Sequence, residues 1–334
     1  MSESKSTRSL VGVALRGIGM GAADVVPGVS GGTIAFITGI YEELLETIAG
    51  LNFGLIRTWK KEGFKAMWKQ GNFSFLAALF LGIIISIASL AVLIEFLLEN
   101  YTIQLWSFFF GLIIASVWLV GKTVKTWNLT TIAGLIFGTV SAYLITTIAP
   151  VEDSTNLFYI FICGSIAVCA MILPGISGSF ILLLLGAYTS ILGAVSNLLS
   201  ALNASNWDLV FSNGLILVVF VIGCIVGLLS FSKLLNWLFK KAHQVTIAIL
   251  TGFLIGSLNK IWPWKEVLEY RIKHAGEINE ELVPVIERNI LPNTYTELTH
   301  QPHFLVQACL LLCAGVLLII VLEKFGKKNQ TIKS

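Results

Sequence analysis

Apolar positions in this chain run on in blocks instead of alternating with polar ones. Residues 74–98, 103–121, 129–149, 210–238, 244–262 and 303–322 are almost wholly apolar, and each is near or above the ~20 residues a helix needs to cross a bilayer. Each predicts a transmembrane helix. Two further apolar regions, 10–49 and 156–199, are interrupted by Pro and Gly and predict helical hairpins. The arms 10–26 and 33–49 of the first are 17 residues each, about 25 Å of helix, which is short of a typical hydrocarbon core. They are therefore expected to be re-entrant. Stretch 263–302 is the one long hydrophilic segment, mixed in charge and carrying Pro284, Pro292 and Pro302, and reads as a loop. Segment 51–73 interleaves Phe53, Leu55, Ile56, Trp59, Phe64, Met67 and Trp68 with lysines. It fits an amphipathic helix lying on anionic headgroups, or an ordinary basic loop.

Composition leaves little room for a soluble alternative. Of 334 residues 56% are hydrophobic and 12% charged, with a mean hydropathy of +0.85, whereas soluble domains carry about 25% charge. The polar start, MSESKSTRSL, lacks a small-residue cleavage site after a Leu-rich core, so no removable signal peptide is expected. All five cysteines lie in apolar segments without a CxxC, which points to neither a disulfide framework nor a metal knuckle. His274 and His300 fall in the hydrophilic stretch and His303 directly after it, without ligand-like spacing, so no metal is expected. A net charge of +3 is too small to suggest nucleic acid.

The placement of charge says more. Basic residues cluster at Lys5 and Arg8, in 51–73, at Lys122 and Lys125, at Lys233, Lys240 and Lys241, and in the tail from Lys324. The short segments around Glu99, Glu152–Asp153 and Asp208 hold none. By the positive-inside rule both termini are cytoplasmic and 263–302 is extracytoplasmic. Trp106, Trp118, Trp207, Trp237 and Trp262 flank the predicted spans, as an interfacial belt would.

The chain also repeats itself. Ala23-Asp24-Val25-Val26-Pro27-Gly28-Val29-Ser30-Gly31-Gly32 returns as Ala170-Met171-Ile172-Leu173-Pro174-Gly175-Ile176-Ser177-Gly178-Ser179, and Gly39 and Tyr41 return as Gly186 and Tyr188. The offset is 147 throughout; farther on an offset of 141 aligns Gly82/Gly223, Ser89/Ser230, Gly111/Gly252 and Ser116/Ser257. The expected fold is an all-α integral membrane protein of two repeats, 1–150 and 151–334, each a re-entrant helical hairpin plus three transmembrane helices. A half of that kind reverses the sidedness of the next, giving an inverted repeat.

Proline removes a backbone donor and glycine opens conformations closed to other residues. Within lipid such an interruption survives only when buried in protein or lining a wet cavity, so two in matching positions mark a binding site. The helices restarting at Gly31 and Gly178 would present N–H groups to an anion, with Ser30 and Ser177 capping them or donating to a phosphate oxygen. The candidate substrate-binding residues are Arg16, Asp24, Pro27, Gly28, Ser30, Gly31, Gly32, Thr33, Pro174, Gly175, Ser177, Gly178 and Ser179. Arg16 and Asp24 are the ionisable residues deepest in the predicted membrane region. Arg16 would meet an anionic headgroup or snorkel to the interface, and Asp24 would carry a coupling proton or cation, or pair with a cation elsewhere. Glu42, Glu43 and Glu46 end the first hairpin as a solvated rim or a functional cluster.

The two motif runs, 21–33 and 173–179, resemble the signatures of the PopT-type polyprenyl-phosphate transporter family, and the likeness covers nearly the whole chain. The resemblance implies a multi-pass plasma-membrane protein that returns undecaprenyl phosphate or a related polyprenyl phosphate to the inner leaflet, with no cofactor beyond a coupling proton or sodium ion. Its partners would be that lipid and the surrounding membrane. Met171 opposite Asp24, and Ser179 opposite Gly32, depart from strict twofold chemistry. An ion-coupled small-anion transporter or channel would use the same helix ends. A polyprenyl-pyrophosphate phosphatase would also carry twin Pro-Gly-x-Ser loops, but with arginine beside each serine, where this chain has Gly31 and Gly178.

Overall fold

The computed structural model describes residues 9–25, 30–148, 156–273 and 281–331. Helix α1 (Leu10–Val25) leads to the short α2 (Gly31–Ile37) and α3 (Tyr41–Ala49). Two surface helices follow, α4 (Gly54–Glu62) and α5 (Phe64–Gln70), then three long ones, α6 (Phe73–Asn100), α7 (Thr102–Gly121) and α8 (Leu129–Thr147). The second half repeats this order with α9 (Leu157–Ile172), α10 (Gly178–Leu184), α11 (Tyr188–Asn203) and α12 (Trp207–Ser257). A hairpin of β1 (Lys265–Lys273) and β2 (Glu281–Asn289), then α13 (Pro292–Thr299) and α14 (Leu305–Thr331), complete the chain. Helices α6, α7, α8 and α12 are long and apolar enough to cross a membrane, and α9 and parts of α11 and α14 are shorter apolar helices.

Local chemistry sets the boundaries. Asn128 starts α8 with a capping box, its side chain accepting from the Thr131 amide at 3.0 Å while the Thr131 hydroxyl accepts from Asn128 N–H at 2.9 Å. Asn156 and Asn206 accept from the first-turn amides of α9 and α12 in the same manner. Gly39 and Gly186, matched by the repeat, have φ of +71° and +62° and divide each second arm in two. At both, the next residue's amide bonds back five positions, Ile40 to Ala35 and Ala187 to Leu182, closing the preceding helix the same way.

Three expectations change. Each second arm was expected as one helix and is two. The 233–243 region was expected to connect two spans, but the chain stays helical through it, and only Ala242 (φ −143°, ψ 52°) interrupts α12. A straight helix of 51 residues would reach about 76 Å, far beyond a bilayer, and this kink divides it into two arms, 207–241 and 243–257. Stretch 263–302, expected as a loop, instead holds an antiparallel hairpin in which Lys265–Lys273 pairs with Glu281–Asn289, a small β addition to a largely helical molecule. Pro284 sits within it, opposite Tyr270, beside a register irregularity at Glu269/Tyr270.

Packing rests on glycines that let backbones touch. A Cβ on Gly17 would lie 2.2 Å from the Leu79 carbonyl oxygen, and one on Gly82 2.1 Å from that of Ala14, so α1 and α6 cross in contact. The equivalent crossing of α9 with the first arm of α12 uses Gly164 and Gly223, with corresponding approaches of 2.6 and 2.2 Å. Gly111 and Gly315 join α7 to α14, and Gly252 and Gly138 join the second arm of α12 to α8, all at 2.1–2.2 Å. Small residues at such crossings are how helices associate where lipid leaves little hydrophobic drive. The outward faces of α6, α8, α12 and α14 carry exposed Ile84, Phe137, Phe211 and Leu310. Helices α4 and α5, parted at Gly63, expose Phe53, Ile56, Trp59, Phe64 and Trp68 beside their lysines.

Candidate functional site

The two breaks dock on each other. Ser30 is the N-cap of α2, with extended φ/ψ of −122° and 130°, and its hydroxyl accepts from Gly32 N–H at 3.1 Å. The same Oγ lies 3.2 Å from two carbonyl oxygens at the end of α9, Met171 and Leu173, and donates to them. In return Thr33 Oγ1 accepts from the Gly175 amide at 2.8 Å. Ser30 (1% exposed), Thr33 (0%) and Ser177 (6%) are buried at this junction. Gly32 is required there, since a Cβ would sit 2.6 Å from the Ile172 carbonyl oxygen.

The two sides are capped differently. Asp24 Oδ1 accepts from Gly31 N–H at 2.7 Å, so a carboxylate of the chain itself occupies the start of α2. The expectation of free amides therefore fails at this end: Gly31 and Gly32 already donate to Asp24 and Ser30. At α10 the corresponding residue is Met171, whose Cβ would be 3.2 Å from a Cβ on Gly178, and Ser177 makes no side-chain cap bond. Its hydroxyl instead lies 2.8 Å from Ser179 Oγ. Gly175 has φ +88°, a left-handed conformation that favours glycine, and packs on Phe253 and Ser257 of the second arm of α12.

Among the predicted site residues, the structure thus gathers Asp24, Ser30, Gly31, Gly32 and Thr33 with Gly175, next to Pro174, and places Ser177, Gly178 and Ser179 at the adjoining start of α10. Pro27 and Gly28 lie outside the described residues. Arg16 is eight residues before Asp24 on the continuous α1, about 12 Å along the axis, and donates to the Gly12 carbonyl at 2.9 Å. Glu42 at the other end of the first hairpin lies 3.2 Å from His243 Nε2, beside a small recess that it lines with Glu46, Asn236 and Lys240. Asp24 as the cap of α2 was not anticipated. Its seven-residue separation from Gly31 looks too long for a cap, yet the two lie 2.7 Å apart. Among the described residues no cluster of His, Cys, Asp and Glu could hold a metal.

A family model described as VCA0040-like, undecaprenyl phosphate translocase-like, matches residues 20–279. A polyprenyl-phosphate transporter of Vibrio cholerae is 46% identical over 322 residues, covering 96% of this chain and 99% of that protein. A polyprenyl-phosphate transporter of Staphylococcus aureus is 32% identical over 261 residues, covering 75% of this chain and 85% of its own length. No solved structure matches.

Proposed function

Because this chain belongs to the VCA0040-like, undecaprenyl phosphate translocase-like family, we propose that it carries a polyprenyl phosphate across the plasma membrane, from outer to inner leaflet, for reuse of the carrier lipid. The observation that carries this reading is the docking of the two breaks through Ser30, Met171, Leu173, Thr33 and Gly175. A phosphate headgroup needs several donors in a dry setting, and this junction concentrates hydroxyls and amides in the protein interior while the prenyl tail stays in lipid.

The recurrence of the same glycine crossings in both halves supports an inverted repeat, with the hairpins entering from opposite faces and both termini cytoplasmic. Alternate opening of the two halves would then expose the junction to one leaflet at a time. The halves play unequal parts. Asp24 already supplies a negative charge to α2, so the incoming phosphate is received at α10, by Ser177, Ser179 and the Gly178 amide. Asp24 carries the coupling proton or sodium ion, because only when it gives up the Gly31 amide does the first break gain donors for the phosphate. Arg16, toward the start of α1, meets the headgroup on the cytoplasmic side.

The protein acts as a transporter: Gly31 and Gly178 follow Ser30 and Ser177 where the phosphatase loops carry arginine. Proteoliposomes loaded with a fluorescent polyprenyl phosphate test the reading through the fraction quenched from outside. Wild-type protein is expected to equilibrate the label between leaflets, and Ser30→Ala with Ser177→Ala to slow it by about tenfold or more, on the scale of losing charge-assisted hydrogen bonds. Undiminished movement in the double variant would remove the junction from the path, and release of inorganic phosphate would establish an enzyme instead.

A further inference from the structure

Beyond the breaks, a second polar cluster sits where the hairpin meets the helices. Glu287 Oε2 accepts from Lys260 Nζ at 2.8 Å and from Lys265 Nζ at 3.1 Å. Two ammonium groups thus share one carboxylate oxygen, leaving an excess positive charge. The setting is enclosed: the side chains of Lys260, Lys265 and Glu287 are 20%, 8% and 19% exposed. Burial, against the pull of Glu287, brings the Lys265 pKa down to about 8. An enclosed cation pair with a single counter-ion is expensive unless another anion completes it.

Its neighbours tie it to the path. Lys260 Nζ lies 4.7 Å from the ring centre of Phe180, the third residue of α10, and Lys265 Nζ 4.4 Å from that of Trp106, at the start of α7. Trp262 and Trp264 brace the site, donating to the carbonyls of Ile290 and His303 at 2.9 Å each. Trp262 and Arg288, close in sequence to the triad, line an open recess of about 480 Å³ with Asn289 and Thr294. Arg288 within it is already paired with Glu266 at 2.6 Å, so among the described residues the excess positive charge belongs to the two lysines.

We propose that Lys260 and Lys265 form a capture site for a phosphate monoester, with Glu287 as a place-holder that the phosphate displaces before passing along Phe180 to the start of α10. A monoester dianion suits two ammonium groups better than a singly charged phosphodiester headgroup does, so the site also selects against bulk phospholipid. The inference rests on the transport reading above for the direction of travel, though binding tests it separately.

The test uses the full chain in phosphatidylcholine nanodiscs, titrated with fluorescent polyprenyl phosphate, with inorganic phosphate and phosphatidylglycerol as competitors and thermal unfolding followed in parallel. Lys260→Gln and Lys265→Gln should each weaken binding by about tenfold, the scale of one charge-assisted bond, and Lys260→Arg should restore most of it. Glu287→Gln decides the matter by its sign: freeing both cations should tighten binding severalfold. If the triad is only a clasp holding the hairpin, Glu287→Gln loosens it and weakens binding or leaves it unchanged, and the proposal falls. Competition by phosphatidylglycerol as strong as by the monoester would also overturn it. Inorganic phosphate binding as tightly as the lipid, with the same order of variants, would keep the site and make free phosphate its ligand. Wild-type protein that binds but moves no lipid would end the transport reading and spare this site. Transport with binding indifferent to all three residues would do the reverse.

Discussion

At Gly32 a single methyl group separates a working junction from a broken one. A Cβ there meets two main-chain oxygens, Ile172 at 2.6 Å and Met171 at 3.0 Å, and neither can swing aside as a side chain tip would. Gly32→Ala should therefore push α2 off the end of α9, stretch both outward bonds of Ser30, and destabilise the fold by ~1–3 kcal/mol. Thermal unfolding in detergent and leaflet exchange should both fall. Gly193, in the helix α11 with no atom within 4 Å of its added Cβ, is the control: Gly193→Ala should leave transport intact and raise stability by ~0.5–1 kcal/mol. Asp24 asks for a subtler change. Asp24→Asn keeps an oxygen for the Gly31 amide but can neither lose a proton nor hold a cation strongly, so the variant should fold like wild type yet lose acceleration of lipid movement by an imposed proton or sodium gradient. Retention of a full gradient response would move coupling to another residue. The repeat had marked Ser30 and Gly31 in the sequence because they recur. It said nothing of what Asp24 does, since a cap seven residues before the amide it accepts from leaves no i-to-i+3 signature.

The elements divide into those whose ends are written locally and those whose ends are not. Apolar runs located α6, α7 and α8 to within two residues because nothing but a helix satisfies a backbone in lipid. The split of each second arm was present in Gly39 and Gly186 but unread, because one glycine in an apolar run looks like a tolerated interior residue until its φ is known. The hairpin β1–β2 was hidden by Pro284 and by mixed charge, and the partnership of Lys260 and Lys265 with Glu287 depends on its register, Lys265 opposite Asn289, which no local pattern encodes. That partnership gives the hairpin a pH profile. Lys265 has a folded pKa of about 8 against 10.5 for the free side chain, so between these values the unfolded hairpin binds more protons and stability rises with pH. Burial raises the pKa of Glu287, but the charges of Lys265 and Lys260 outweigh it and hold the net value below the usual 4.5. Its contribution is therefore full above 4.5 and is lost as acid carries the pH through the lowered folded value. Unfolding midpoints should consequently rise from pH 8 toward 10, and the rise should vanish in Lys265→Met relative to wild type. A variant that keeps the same slope would exclude Lys265 as its source.

For the molecule as a whole, sidedness is the property on which transport depends and which charge alone proposed. The breaks meet where the start of α2 faces the C-terminal end of α9, with Ser30 reaching Met171 and Leu173. If both hairpins entered from one face, that junction would communicate with one leaflet only, and no rocking of halves could expose it to the other. Entry from opposite faces puts the junction between leaflets, and it follows once an odd number of crossings separates the repeats. The kink at Ala242 bears on the same count: under the proposed topology its two arms are two crossings, and the hairpin then faces the side opposite α4 and α5. Cysteine labelling reads this directly. In a chain whose five native cysteines are replaced by alanine, a membrane-impermeant maleimide applied to intact cells should label Asn279→Cys. Lys61→Cys and Ser334→Cys should react only after the membrane is opened. Labelling of positions 61 and 279 from the same side would remove one crossing from the count, put both hairpins on one face, and leave the junction without a route between leaflets.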